Sequence, residues 1–416
     1  MANNRWEPKA AAVQQVDTIT VALTWATADT VAITINTKVL TVSVGTDSAT
    51  TDVAIAVKEA INGETFTDTT TTVVPTGAGP DIAEFSELTA TVSGSVVTVR
   101  GIAGEPFVMT VVETTAGDGT AVEATATAAT GPNHYDNSDN WSSSVPIGTD
   151  DVYVDNSDVS ILWGLDQSAV PIASFTEGLN FTGDIGLPEV APGGYKEYRE
   201  SGGYLQLNCA KITIGTGEGS GSGRTKIDTG SSTAAIIAVI NTGSSSEFGL
   251  PAFLWKGTHA SSTLDMLNGS VGVASFGGEL ATLTDLVVAD GTCELGVGLT
   301  LATMDVFGGT CTLRGVTSST ITMTGGVLNV EGTTGTISGI NQQGGTINYR
   351  AGGTTITTLT VGGEGSPTFD LTNCPTTVTA TNPISVRPGA NIVDPSRKIL
   401  GDNVSTTSLV TGITVT

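Results

Sequence analysis

The sequence predicts a mostly β protein: a small N-terminal α+β domain followed by a parallel β-helix, or solenoid. Three observations predict it. The composition is rich in Thr, Val and Ile, holds 53 glycines in 416 residues, and is only 14% charged. β-Branched residues suit pleated, half-buried surfaces, whereas long helices draw on charged helix formers that are scarce here. The first third alternates apolar and small polar residues with period two. The second half repeats at a period near 18 residues, with glycine at a fixed phase.

These patterns divide the chain into an extended N-terminal arm (1–15, with Trp6 and Pro8), an α+β domain (16–130) and a linker with solenoid lead-in (131–204). The solenoid itself follows (205–390), then a C-terminal cap or tail (391–416). In the α+β domain, Asp17 to Leu23, Val31 to Ile35 and Val39 to Val44 alternate as strands with one buried face. Asp52 to Asn62 breaks that alternation. Val53, Val57, Ala60 and Ile61 share one helical face, Thr50, Thr51 or Asp52 serves as N-cap, and Gly63 stops the helix. Strands resume at Leu88 to Val92, Val96 to Arg100 and Phe107 to Val112, with Gly94-Ser95 as a hairpin turn. The expected result is one sheet with one helix packed on it. Glu113 to Thr130, mostly Ala, Thr and Gly, has little to bury and reads as a linker or a loose edge strand.

The repeat is the most informative feature. Val271-Gly272-Val273, Cys293-Glu294-Leu295, Cys311-Thr312-Leu313, Leu328-Asn329-Val330, Ile347-Asn348-Tyr349 and Phe369-Asp370-Leu371 align, each with two inward apolar residues around an outward one. From Cys293 onward the spacing is 18, 17, 19 and 22. Second strands lie between them, at Leu283 to Val288, Leu301 to Val306, Ser319 to Met323, Thr336 to Ile340 and Thr355 to Leu359. A coil this small cannot bury its own apolar residues, and stacking coils at about 4.8 Å makes a shared core. Earlier strands with longer insertions are expected at Leu205 to Leu207, Lys211 to Ile214, Thr225 to Ile227, Ala235 to Ile240 and Ala252 to Trp255.

Charge narrows the partners. With 41 acids against 16 bases the net charge is −25. That argues against a nucleic-acid surface and against docking on anionic lipid. The first 17 residues carry no apolar core of signal-peptide length, and no apolar stretch approaches the roughly 18 residues of a membrane span. Synthesis in a cytoplasm is therefore the expectation, and four cysteines do not make a disulfide framework.

Each candidate motif has a bland reading that outweighs it. The glycines from Gly215 to Gly223 before Arg224 resemble a phosphate loop, but such a loop must open a helix and none is expected here. His259 lies near Ser261 and Ser262 without a nucleophile elbow, and His134 is the only other histidine. Cys293 and Cys311 occupy equivalent positions in adjacent coils and read as a buried thiol ladder. A disulfide between them is disfavoured in a cytoplasmic product. Cys209 and Cys374 read as small buried residues. Asp136, Asp139, Asp150, Asp151, Asp155 and Asp158 offer oxygens for Ca²⁺, but without EF-hand spacing they read as Asx turns. A glycan-cleaving solenoid needs two carboxylates across a groove. Glu294 and Glu331, near the strand phase with Arg314, Arg350 and Asp370, have a whole coil between them and so lie about 10 Å apart. No catalytic, cofactor-binding or metal residue is assigned, and no cofactor is expected.

Several segments carry a resemblance. They are Gln15-Val16-Asp17-Thr18, the helix Val53 to Asn62, Gly104-Glu105-Pro106-Phe107, Asn140-Trp141-Ser142, Gly164-Leu165-Asp166-Gln167, Tyr195-Lys196-Glu197-Tyr198-Arg199 and Leu254-Trp255-Lys256-Gly257-Thr258-His259. Together they resemble uncharacterised β-solenoid proteins encoded beside capsid genes in phages and prophages. The resemblance implies a virion structural protein without catalysis, made in the host cytoplasm. It would be a capsid decoration or head-fibre protein. Its partners would be the major capsid protein or other virion proteins, with homo-oligomerisation expected as a trimer. The alternatives are a tail fibre or tailspike that binds host glycan, and a bacterial surface adhesin.

Overall fold

The computed structural model describes residues 3–35, 38–46, 48–67, 72–74, 83–114, 118–178, 180–187, 203–215, 223–242, 250–315, 319–332, 335–399 and 414–415. The chain separates into two compact units. One comprises Pro8–Asn140 and Pro188–Gly203, the other Met1–Glu7, Trp141–Leu187 and Tyr204–Thr416. The segment read as an N-terminal arm is thus shared between them.

The smaller unit contains two four-stranded antiparallel sheets, where one was expected. The first runs in the order Thr89–Ser93, Val96–Ala103, Gln14–Ala22, Thr120–Thr127. The second runs Thr72–Val74, Lys38–Ser43, Thr30–Ile35, Met109–Thr114. The alternation of Ile19 and Val21, of Val31, Ile33 and Ile35, and of Leu40 and Val42 turns these residues into one core. The helix Thr50–Asn62 adds Val53, Val57, Ala60 and Ile61 to it, the face read from the sequence. Its N-cap is Ala49, without a side-chain cap, rather than Thr50, Thr51 or Asp52. Asp52 instead lies in the first turn, where its charge complements the helix dipole. Gly63 ends the helix in the left-handed conformation. The stretch Thr120–Thr127 is an edge strand on Gln14–Ala22, and beyond Ala121 nearly all of it is exposed.

Among the described residues of the larger unit the strands pair in parallel, and the isolated bridge Trp6 to Trp141 is antiparallel. Up to Thr320–Met323 each strand bonds not to its sequence neighbour but to the strand one coil on, and beyond it the long strands Thr336–Tyr349 and Thr355–Asp370 pair directly with each other. Two main ladders result. One stacks Asp151–Val154, Ser174–Glu177, Lys211–Ile214, Ile236–Val239, Thr263–Met266 and onward to Thr320–Met323. The other stacks Phe253–Lys256, Ser270–Val273, Thr292–Leu295, Thr310–Leu313 and Val327–Val330. A third side joins them where Ala281 to Leu283 pairs with Leu299 to Leu301. Roughly ten rungs at about 4.8 Å make a stack on the order of 50 Å.

Register follows the repeat residue by residue. Val271, Cys293, Cys311, Leu328, Ile347, Phe369 and Ile392 form one inward column. Val152, Phe175, Ile212, Ile237, Leu264, Leu286, Met304, Ile321, Ile340 and Leu359 form another. All these side chains are buried, each worth about 1.5–3 kcal/mol for the larger aliphatics. One corner of the coil is a glycine ladder. Gly269, Gly291, Gly309, Gly326 and Gly345 all have positive φ, between 69° and 112°. A Cβ on Gly309 would meet the Gly291 carbonyl oxygen at 2.4 Å, so neighbouring coils close together only without one.

The N-terminal residues belong to this stack. Asn3–Arg5 pairs in parallel with Asp151 to Tyr153. Trp6 is buried edge-on against Trp141 at 5.1 Å, and its Nε1 donates to the Val159 carbonyl at 3.2 Å. Apolar burial and an unmatched strand edge both favour docking over a free arm. The stacking therefore begins with Asn3–Arg5 on Asp151–Val154, ahead of Leu205.

Candidate functional site

Most of the residues weighed in the sequence are held by local structure. Gly223 and Arg224 lead into the strand Thr225–Asp228 and not into a helix, and the rest of the glycine run, residues 216–222, lies outside the described residues. Tyr195 to Arg199 also lies outside it. His259 Nδ1 accepts the Ser261 backbone N–H at 3.1 Å, and the buried Ser262 hydroxyl accepts the Ala235 N–H at 3.2 Å. Neither serine hydroxyl is placed against the imidazole in these contacts. His134 Nε2 lies 3.0 Å from the Gly104 carbonyl oxygen, and its Nδ1 lies 3.5 Å from Asp136.

The six aspartates divide between the two units, Asp136 and Asp139 in one and the other four in the other. Asp150 accepts the Ile147 N–H, Asp151 accepts the Ser174 hydroxyl, and Asp155 accepts the Asn156 and Asn180 N–H groups. Among the described residues no group of three or more His, Cys, Asp or Glu gathers as a metal site. Glu294 and Glu331 are bridged on the surface by Arg314, at 3.0 and 3.4 Å. A guanidinium between two carboxylates makes an ion triad, not an open cleft between them.

The group the sequence reading passed over is Glu177. In Ser174–Glu177 the period of two points Phe175 and Glu177 inward. Glu177 lies in the column Val154, Glu177, Ile214, Val239, Met266, Val288, where every neighbour is aliphatic or Met. A charged group in such a column is costly unless it is neutral or paired. Thr225, itself buried, donates its hydroxyl to Glu177 Oε2 at 2.5 Å. Burial, opposed by that hydrogen bond and aided by the charge of Asp184, raises the carboxyl pKa to about 7. The signal was present as an acid at an inward phase, but the irregular upstream coils hide that phase until the register is known.

Glu177 borders a small recess lined by Ile214, Gly215, Gly223, Thr225, Asn241 and Phe253, among others. On its flank, basic side chains gather in a chain that is otherwise acidic. Arg224 is buried, lies 3.7 Å from Asp184 and donates to the Gly186 carbonyl. Lys226, 1% exposed, donates to the Leu187 carbonyl at 3.1 Å. Lys226 and Lys256 sit 4.5 and 4.3 Å from the centroid of the buried Tyr204 ring, and Lys256 also reaches Asp228 at 3.6 Å. A cation–π contact and a carbonyl acceptor hold the buried Lys226 ammonium, while the half-buried Lys256 pairs with Asp228 and the same ring. The arrangement is a polar plug in an apolar stack, with one carboxyl that changes charge near neutrality.

Fold and site together define a two-unit β protein whose larger unit is a parallel β-solenoid. Comparison with protein-family models, with curated proteins and with solved structures finds no match.

Proposed function

We propose that the chain is a structural component of a bacteriophage particle, a capsid decoration or head-fibre protein that acts without catalysis. The observation that supports this most is the parallel stack, which runs from Asp151 through Val393. Such a stack is a stiff, extended body in which each coil touches only its neighbours, which suits a part that spans or projects rather than one that closes round a substrate. A net charge of −25 favours solubility at high copy number. The attachment surface is assigned to the small β unit, contacting the major capsid protein or another virion protein. Homo-oligomerisation, as a trimer, is part of the proposal. Trp6 is not the attaching group, because it is already packed against Trp141.

Cryo-EM of purified particles tests the reading. Density for the chain against the major shell protein supports it. Density confined to the tail favours the receptor-binding alternative, and absence of the chain from purified particles overturns both. Shortening of host polysaccharide by the purified protein would overturn the non-catalytic assignment.

A further inference from the structure

Cys293 and Cys311 are in-register partners on adjacent strands of the stack. Both side chains point inward, and both are buried, 1% and 0% exposed. Paired residues on neighbouring parallel strands sit about 4.8 Å apart, within the Cα separation of roughly 4.4–6.8 Å that a disulfide spans. The two thiols are free. The other two cysteines are arranged differently. Cys209 donates its thiol to the Lys211 carbonyl at 3.1 Å, and Cys374 donates to the Thr376 carbonyl at 3.2 Å. Column neighbours Val271 and Leu328 lie on either side of the pair, so its surroundings are apolar.

We propose that Cys293 and Cys311 are a redox modification site, closed by a peroxide-class oxidant into a disulfide that ties one coil to the next. Hydrogen peroxide is close to water in size and can enter when a rung opens. One sulfur attacks the peroxide, breaking its O–O bond, and becomes a sulfenic acid with release of water. The neighbouring thiol then attacks that sulfur and expels its hydroxyl, so that the S–S bond forms and a second water leaves. Two thiols are oxidised by two electrons, and one peroxide is reduced to two waters. The neighbouring Cys311 thiol, and then burial, hold the Cys293 thiol well above its ordinary pKa. In the closed stack the pair therefore rests as thiols, and the reaction belongs to the opened rung. Because a solenoid unfolds through its coil-to-coil junctions, a covalent bond across one of them resists opening at that point. The site gains its bond only in oxidising surroundings, and it stands independently of the virion reading.

The test uses the full chain, treated with hydrogen peroxide, quenched with catalase, then denatured in a thiol-alkylating reagent and mapped by mass spectrometry. The expected result is a single peptide pair joining Cys293 to Cys311, with alkylatable thiols falling from four to two. The denaturation midpoint should rise and return after a reductant. C311V, an apolar replacement matched to its column, should fold and lose the cross-link entirely, whereas C209S should retain it. Four alkylatable thiols after treatment, a bond between chains, a different pairing, or sulfinic acid at either position without a cross-link would each overturn the proposal.

Discussion

The two halves of the solenoid are built from the same rung and treat it differently. From Ser270 to Tyr349 the corners are short, glycine recurs at one phase, and the column beginning at Val271 is apolar throughout. From Asp151 to Lys256 the corners carry insertions, and the core takes in Glu177, Thr225, Arg224 and Lys226. The comparison teaches that regularity and dryness go together. A short glycine corner lets rungs approach closely and leaves room for few polar side chains, whereas the irregular rungs bring backbone carbonyls such as those of Gly186 and Leu187, which buried cations can use. Gln342 is the counter-example within the regular half. It points into the core, where its Nε2 donates to the carbonyls of Gly345 and Thr368 while its buried Oε1 has no hydrogen-bond partner among the described residues.

The sharpest break in this contrast comes from the corner ladder. Gly309→Val adds a side chain 2.4 Å from the Gly291 oxygen at a φ of +69°. It should cost more than about 4 kcal/mol, or prevent folding, because backbone strain and overpacking add. Gly94→Val, in the open hairpin of the small unit with φ +60° and nothing within 4 Å, should cost only about 1–2 kcal/mol. Urea denaturation of both variants measures the difference, and equal losses would show that rung approach does not limit the stack.

Next in size is the dry core. Leu313→Ala removes a fully buried side chain between Leu295 and Val330 and should cost about 2–5 kcal/mol. Calorimetry on the variant reads this as a fall in Tm.

Glu177 sharpens the contrast by titration. Its pKa is about 7 in the folded chain against an ordinary 4.5. A carboxyl raised on folding binds its proton more tightly in the native state, so stability is greatest below pH 4.5 and falls as pH rises through about 7. Between pH 5.5 and 8.5 this group should remove about 2 kcal/mol, from about 1.4 kcal/mol per pKa unit. In Glu177→Gln that slope should vanish while the Thr225 contact remains available. Denaturation midpoints across pH decide it, and an unchanged slope would mean that Glu177 is not buried as described.

The smallest effect belongs to the surface triad. Arg314 is 42% exposed, and its bridges to Glu294 and Glu331 are solvent-screened. Arg314→Ala should cost under about 1 kcal/mol and less still at high salt, where screening is stronger. A larger loss would give this outer face a structural weight that the inner columns are here assigned.

Legibility varied with regularity. The column from Val271 to Phe369 was readable because a period of two inside a period near 18 admits one register. The upstream rungs were not, since insertions there erase the longer period and Glu177 loses its visible phase. Asn3–Arg5 and Trp6 were misplaced for a related reason: three residues carry no periodicity, and their partners Asp151 and Trp141 lie far along the chain.

By itself, then, the sequence determined the β class, the coil and the glycine corner, because alternation and backbone freedom are local properties of each residue. Only the tertiary structure decided which distant segments share a rung, how many sheets the small unit has, and which acid sits inside. Those depend on contacts between residues far apart in the chain, where burial and hydrogen bonding are settled by what happens to stack above and below.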